Sequence, residues 1–307
     1  MPALDDSVIT QAEVEREDTA AVGAGLDVLE EPDRVRDPWW RRLGSSIVPP
    51  ILALVVVLVI WEIVYLLKLK PEVMLPSPAA VWDELVRLMQ GGQAWETIWT
   101  SLSRGLIGFA MAIVIGGPIG LAIARFPWLR ASFGPLLSGL QSMPSVAWVP
   151  LAILWFQISP AMIYMVVLLG AVPSIANGLI AGIDQVPPLY SRVGQVLGLN
   201  WWAQTRHVLL PAALPGFLAG LRQGWAFSWR SLMAAELIVT SSKLGFGLGQ
   251  LMNQGRDLSD APLLYAGLIL IFVVGVGVEL IMFRPLERAI LDARGLSTRK
   301  AVTRRPL

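Results

Sequence analysis

Two glycine runs, one histidine and a few charges in apolar surroundings are the places where this 307-residue chain could do chemistry. Residues 245–249 read GFGLG, a run in which backbone N–H groups could cradle a phosphate, and residues 89–93 read MQGGQ. A phosphate loop of the form G-x-x-x-x-G-K-[ST] needs lysine directly after glycine. The lysines are Lys68, Lys70, Lys243 and Lys300, and none follows glycine, so no such nucleotide loop is present. Neither glycine run has the strand-to-helix context that a nucleotide loop needs. Cysteine is absent, which excludes disulfides, thiolate metal sites and cysteine nucleophiles. His207 is the single histidine, so a multi-histidine metal site and an H-E-x-x-H zinc motif are excluded, and no motif marks a serine as its catalytic partner. No bound metal or cofactor is expected. What remains is charge: Arg222, Arg230 and Glu236 fall within one long apolar run, where an ionised group needs a partner or a wet cavity.

Composition says what must hold those charges. The chain is 55% hydrophobic and 15% charged with a mean hydropathy of +0.61, too apolar for an ordinary soluble domain. An all-α, polytopic membrane protein is expected. A helix rising 1.5 Å per residue needs about 20 apolar residues to cross a hydrocarbon layer of roughly 30 Å. Six runs qualify: 47–67, 102–124, 134–156, 161–183, 212–238 and 262–283. The segment 78–90 between the first two looks like a surface helix opened by Pro78. Residues 1–45 read as a disordered tail with no cleavable signal peptide, 46–290 as the membrane domain and 291–307 as a basic tail. Arginines flank the first span, follow the second (Arg125, Arg130) and crowd the C-terminal tail, so both termini are expected in the cytoplasm. A net charge of +1 gives no overall pull toward nucleic acid. Gly116, Gly117, Pro118 and Gly120 in the second span, Pro144 and Pro150 in the third, and Gly170 and Pro173 in the fourth point to close helix packing.

One amphipathic segment interrupts this pattern, VGQVLGLNWWAQTRHVLLPAALPG at 193–216, within a polar loop 184–212. Pro187 and Pro188 suit the first turn of a short helix that Gly198 can cap in a left-handed conformation. Asn200 can cap a second helix through Trp201, Trp202, Arg206 and His207, which Pro211 is expected to stop while opening the next span, its fixed φ suiting a first helical turn. Asp184 is expected to cap the loop helix. On periodicity alone the segment is equally an interfacial loop with its tryptophans among lipid headgroups.

Gly198, nine residues and then Val208-Leu209-Leu210-Pro211 resemble the EAA loop of ABC importer permeases, whose Glu-Ala-Ala positions are occupied here by Arg192, Val193 and Gly194. The stretch SMPSVAWVP at 142–150, Gly182-Ile183-Asp184, Gly220-Leu221-Arg222, Trp229-Arg230 and Ala234-Ala235-Glu236 are similar to the nitrate/sulfonate/taurine branch of that family, over roughly residues 45–295. Gln157 stands where the resemblance leads one to expect glycine.

The resemblance implies a type I ABC importer permease fold in a bacterial plasma membrane, for a small anionic solute such as an aliphatic sulfonate, with nitrate, taurine or a pyrimidine precursor as alternatives. It implies a second permease subunit in a homodimer, a cytoplasmic ATPase dimer holding the ATP, and an extracytoplasmic solute-binding protein. The ATPase-coupling residues would be Gly198, Asn200, Trp201, Trp202, Arg206, His207, Leu210 and Pro211. MQGGQ, which mimics part of the ABC signature, falls on the expected outer side with GFGLG. Arg230, Glu236 and Trp148 are candidates for the translocation path; Arg230 instead pairs with another span, through Glu62 or Glu279, if its role is structural. Arg222, near the cytoplasmic end, is expected to snorkel. A passive channel or an intramembrane enzyme is the different-class alternative, and neither would need the loop.

Overall fold

The computed structural model describes residues 39–239 and 245–293. The tail before Trp39, Lys243 and the basic tail from Arg294 onward lie outside the described residues. Among the described residues every regular element is helical. The chain divides at Ile60 and Trp61. The first unit contributes the start of helix α1, Trp39–Leu66, which opens within the stretch assigned by sequence to the tail.

The second unit begins with the end of α1 and a short segment fixed by Trp61, whose Nε1 donates to the Pro76 carbonyl at 3.0 Å. Helix α2, Pro78–Gln90, starts where Pro78 places it, with the Ser77 hydroxyl accepting from the Ala80 N–H at 3.1 Å. Gly91 and Gly92 then make the turn into α3, Gln93–Arg125, Gly92 at φ +76°. The MQGGQ run is therefore a helix end and a turn. Helices α4, Pro127–Ser142, and α5, Val149–Phe156, are joined by a 3₁₀ turn, Ser145–Trp148. Then come α6, Pro160–Asp184; α7, Pro188–Val196; α8, Trp201–Gln204; and α9, Leu210–Ile238, entered through a π-turn at Thr205–Leu209. Helix α10 is Leu248–Asp257 and α11 Ala261–Val278, continued by a π-turn at Glu279–Phe283 into α12, Arg284–Ala293.

The membrane pattern differs from the six straight spans expected. Four helical stretches among the described residues are long and apolar enough to cross: Val48–Leu66, Gln93–Arg125, Pro160–Asp184 and Ala261–Ala293. The run at 134–156 is a broken pair, Pro127–Ser142 and Ser145–Phe156, bent by 101°. The cause is local: Met143, ahead of Pro144, is pushed out of the helical region to ψ 135°, and Pro144 follows at ψ 126°. The run at 212–238 does form one unbroken helix, α9, which carries Arg222, Arg230 and Glu236 and is not among those four stretches.

Glycine decides how the centre packs. Helix α6 lies between α3 and α9, and a Cβ on Gly178 would stand 2.2 Å from the Cα of Gly220. Gly216 meets the Cα of Gly182 at 2.7 Å in the same sense, and on the other side Gly120 meets the Ala176 carbonyl at 2.7 Å. Between helices in lipid there is little hydrophobic drive, so close backbone approach and dispersion must supply the attraction.

Gln157 explains the glycine that the family resemblance leads one to expect there. It ends α5 at φ +53°, ψ −163°, a region populated almost only by glycine. Gln157→Gly is expected to raise stability by about 1 kcal/mol through relief of that strain. Thermal unfolding of the two proteins in the same detergent checks it; a lower midpoint for the glycine variant contradicts it.

Candidate functional site

The loop between α6 and α9 is built by capping. Helix α7 ends in a Schellman motif: the Leu199 N–H donates to the Gly194 carbonyl and the Gly198 N–H to the Gln195 carbonyl, both at 3.0 Å. Gly198 sits at φ +72°, as its spacing predicts, because a side chain there would be strained. Two residues on, the Asn200 side chain accepts from the Ala203 N–H at 2.7 Å and starts α8. The sequence gives no sign of the next contact: Gln204, buried, donates through Nε2 to the Ser191 carbonyl at 2.8 Å and ties α8 back onto α7. Gly194 is buried beneath it, and an added Cβ would lie 3.5 Å from Gln204 Cγ.

Apolar groups remain uncovered on the outside of this clamp. Leu189, Val193, Val196, Leu197, Trp201 and Trp202 are exposed, Val196 at 86%. Arg206 and His207 are exposed as well, and His207 Nδ1 lies 3.1 Å from the Ala203 carbonyl one turn back. Leu210 is half-buried and Pro211 exposed.

Pro211 does not stop the second helix. It has no N–H, and its ring crowds the carbonyl four residues back. The chain answers by widening to a π-turn over Thr205–Leu209, in which the Leu210 N–H reaches the Thr205 carbonyl, and α9 then runs on with Pro211 in its first turn. Asp184 is not a cap either: it ends α6 and forms a two-pronged pair with Arg130 of α4, Nη1 to Oδ1 at 2.9 Å and Nη2 to Oδ2.

Glu236 and Arg230 part company, as their spacing of six predicts. Glu236 is completely buried. Its Oε2 accepts from the Ser101 hydroxyl at 2.7 Å and the Gly249 N–H at 3.1 Å, and its Oε1 from Arg104 Nη1 at 2.9 Å. The Leu248 N–H donates to Ser101 Oγ at 2.8 Å, so the first amides of α10 are used up. GFGLG therefore does cradle an anion at a helix start, and the anion is the protein's own: a Cβ on Gly247 would fall 2.5 Å from Glu236 Oε1. No solute-sized group reaches Glu236 in this arrangement.

Arg230 is exposed, with Nε donating to the Ala226 carbonyl at 3.1 Å and its guanidinium 4.5 Å from the Phe227 ring centre. Among the described residues it has no carboxylate partner, neither Glu62 nor Glu279. Glu279 instead joins Glu287 in pairing with Arg222, which ties Arg222 to the π-turn and to α12. Trp148 is half-buried against the core.

Comparison with known proteins places this geometry. Residues 112–291 match the model of the binding-protein-dependent transport system inner membrane component family. The chain is 29% identical to the taurine transport system permease protein TauC of Escherichia coli over 262 residues, 84% of this chain and 94% of that protein. It is 30% identical to the riboflavin transport system permease protein RibX of Chloroflexus aurantiacus over 230 residues, 75% of this chain and 82% of that one. Among solved structures, an inward-facing conformation of the MetNI methionine ABC transporter superposes with a TM-score of 0.56 at 19% identity, covering 63% of this chain and 94% of the other.

Proposed function

This chain belongs to the family of binding-protein-dependent transport system inner membrane components, and from that footing we propose that it carries a small anionic solute, an aliphatic sulfonate, across the membrane on energy borrowed through its α7–α8 loop. It is a multi-pass membrane protein and an ABC transport permease. The observation that carries the coupling role is the clamp itself. Two short helices are locked to each other by Gly198, Asn200 and Gln204 and show an apolar outer face, and the second continues without a break into α9. A preorganised apolar patch of this kind fits docking to another protein. The partner proposed is a cytoplasmic ATPase dimer, where ATP is bound and hydrolysed. A second copy of the permease completes the path, and an extracytoplasmic binding protein delivers solute. In this reading both termini face the cytoplasm. Closing of the ATPase moves the clamp, and the different affinity of partner and solute for the two states gives direction.

For the solute, support comes from the likeness to TauC and from Arg230, an exposed cation on α9 that keeps no carboxylate among the described residues. Glu236, fully occupied, serves as an anchor in this reading, and Trp148 supports the wall of the path. Nitrate, taurine and a pyrimidine precursor are the competing solutes, and the similar identity to RibX shows that overall likeness does not choose between them.

Gly198→Pro tests the coupling. Proline is held near φ −65° and has no N–H, so it forbids the +72° conformation and deletes the bond to Gln195. Losing both costs about 2 kcal/mol locally, enough to reduce uptake more than tenfold. In proteoliposomes holding the complete transporter, uptake of taurine, a longer alkanesulfonate and nitrate is measured beside ATP hydrolysis. The expected result is lost sulfonate uptake with hydrolysis persisting and the protein still in the membrane. Normal uptake by the variant would exclude the coupling role.

A further inference from the structure

A second groove lies beside the clamp and has a different chemistry. About 510 Å³ in volume, it runs along α3 and α9, floored by Gly117 and Pro118, walled by Leu121, Leu179 and Phe217, and closed at one end by Arg125 with Trp201 and Trp202. A Cβ on Gly117 would meet nothing within 4 Å, so the floor is open. Arg125 is the only charged residue in the lining. Its guanidinium stands 5.1 Å from the Trp201 ring centre, and Trp201 stacks between Phe126 and Trp202. Nε of Arg125 is buried and has no hydrogen-bond partner. Among the described residues no carboxylate pairs with Arg125, and the Asp184 carboxylate is held by Arg130.

We propose that this groove binds an anionic phospholipid, with its phosphate on Arg125 and an acyl chain along Gly117 and Pro118. Arg125 is the last residue of a 33-residue apolar helix, where the chain leaves the membrane, and the tryptophans there mark headgroup level. A half-buried cation whose buried Nε lacks an acceptor is left costly unless an anion arrives, and the apolar trough beneath it admits hydrocarbon but not a polar ligand. Membrane lipid supplies both parts in one molecule. Since Trp201 belongs to α8, the lipid also touches the clamp directly.

Native mass spectrometry of the purified full-length protein, titrated with phosphatidylglycerol and with phosphatidylcholine, tests this. The native protein is expected to retain phosphatidylglycerol in preference to phosphatidylcholine. Arg125→Gln should weaken phosphatidylglycerol binding about fivefold and leave phosphatidylcholine unchanged, since one basic group near a headgroup accounts for that factor. Arg125→Lys should keep most of the preference, and Gly117→Leu, which fills the trough, should reduce both lipids. Unfolding midpoints of all variants show that each remains folded. Glycerol phosphate, which has the anion without the chain, should not compete at equal concentration. Equal phosphatidylglycerol binding by Arg125→Gln, or full displacement by glycerol phosphate, would overturn the proposal. So would a photo-crosslinking side chain at position 117 that labels a second copy of the chain rather than phospholipid.

Discussion

Gly178→Leu is expected to remove the native fold, at a cost above about 4 kcal/mol, beyond the range of ordinary substitutions. The Cβ alone would sit 2.2 Å from the Gly220 Cα, and the same clash appears from the other side at 2.4 Å when Gly220 is given a Cβ. What is struck is backbone, which has no rotamer to turn aside, so α6 and α9 must separate along their length. Separation also opens the neighbouring contacts at Gly182 with Gly216 and at Gly224 with Ile175. The measurement is the yield of monodisperse protein from membranes, with the unfolding midpoint where any survives. Gly139→Ala is the control, since nothing lies within 4 Å of its Cβ; a helix-propensity gain of up to about 1 kcal/mol is expected there. Equal midpoints for Gly178→Leu and the native protein would show that the two helices do not meet as described.

Glu236→Ala is expected to have the second largest effect, a loss of about 3–5 kcal/mol, the cost of removing one member of a buried pair. Three donors lose their acceptor together: Arg104, whose side chain is 15% exposed, the Ser101 hydroxyl and the Gly249 N–H. Most of the cost is the stranded arginine, so the double variant with Arg104→Met should recover part of the loss. A double-mutant cycle on unfolding midpoints measures that coupling, and strict additivity of the two single changes would contradict it. Glu236→Gln keeps an acceptor for Ser101 and Gly249 and should fall between alanine and the native residue. Solute uptake by the folded Gln variant should stay near normal, because the carboxylate is closed off from any path.

The parts of this structure that sequence made legible are those decided within a few residues. Gly198 with its left-handed φ, the Asn200 cap and the start of α2 at Pro78 each follow from the chemistry of one turn. Gln157 is a different case: the resemblance alone marked it as a glycine position, and the physical reason, φ +53°, comes from the structure. Proline was legible only in part. Pro144 breaks the helix because its predecessor is driven extended, whereas Pro118, Pro173 and Pro215 lie inside continuous helices. Neighbouring helices can re-satisfy a freed carbonyl in a bilayer, and that is not written locally. Charge partners were the least legible. Arg222 meets Glu279 and Glu287 across 57 and 65 positions, and Glu236 meets Arg104 across 132. Any of several oppositely charged residues could have served in each case, and only the packing of α9 against its neighbours chooses.

The glycine contact between α6 and α9 also restricts what the protein can do over time. A packed interface switches between two arrangements by exchanging side-chain rotamers and sliding one ridge into the next groove. Where one Cα rests on another there are no rotamers to exchange and no groove to slide into, so the Gly178–Gly220 contact gives α6 and α9 no alternative packing short of separating their backbones.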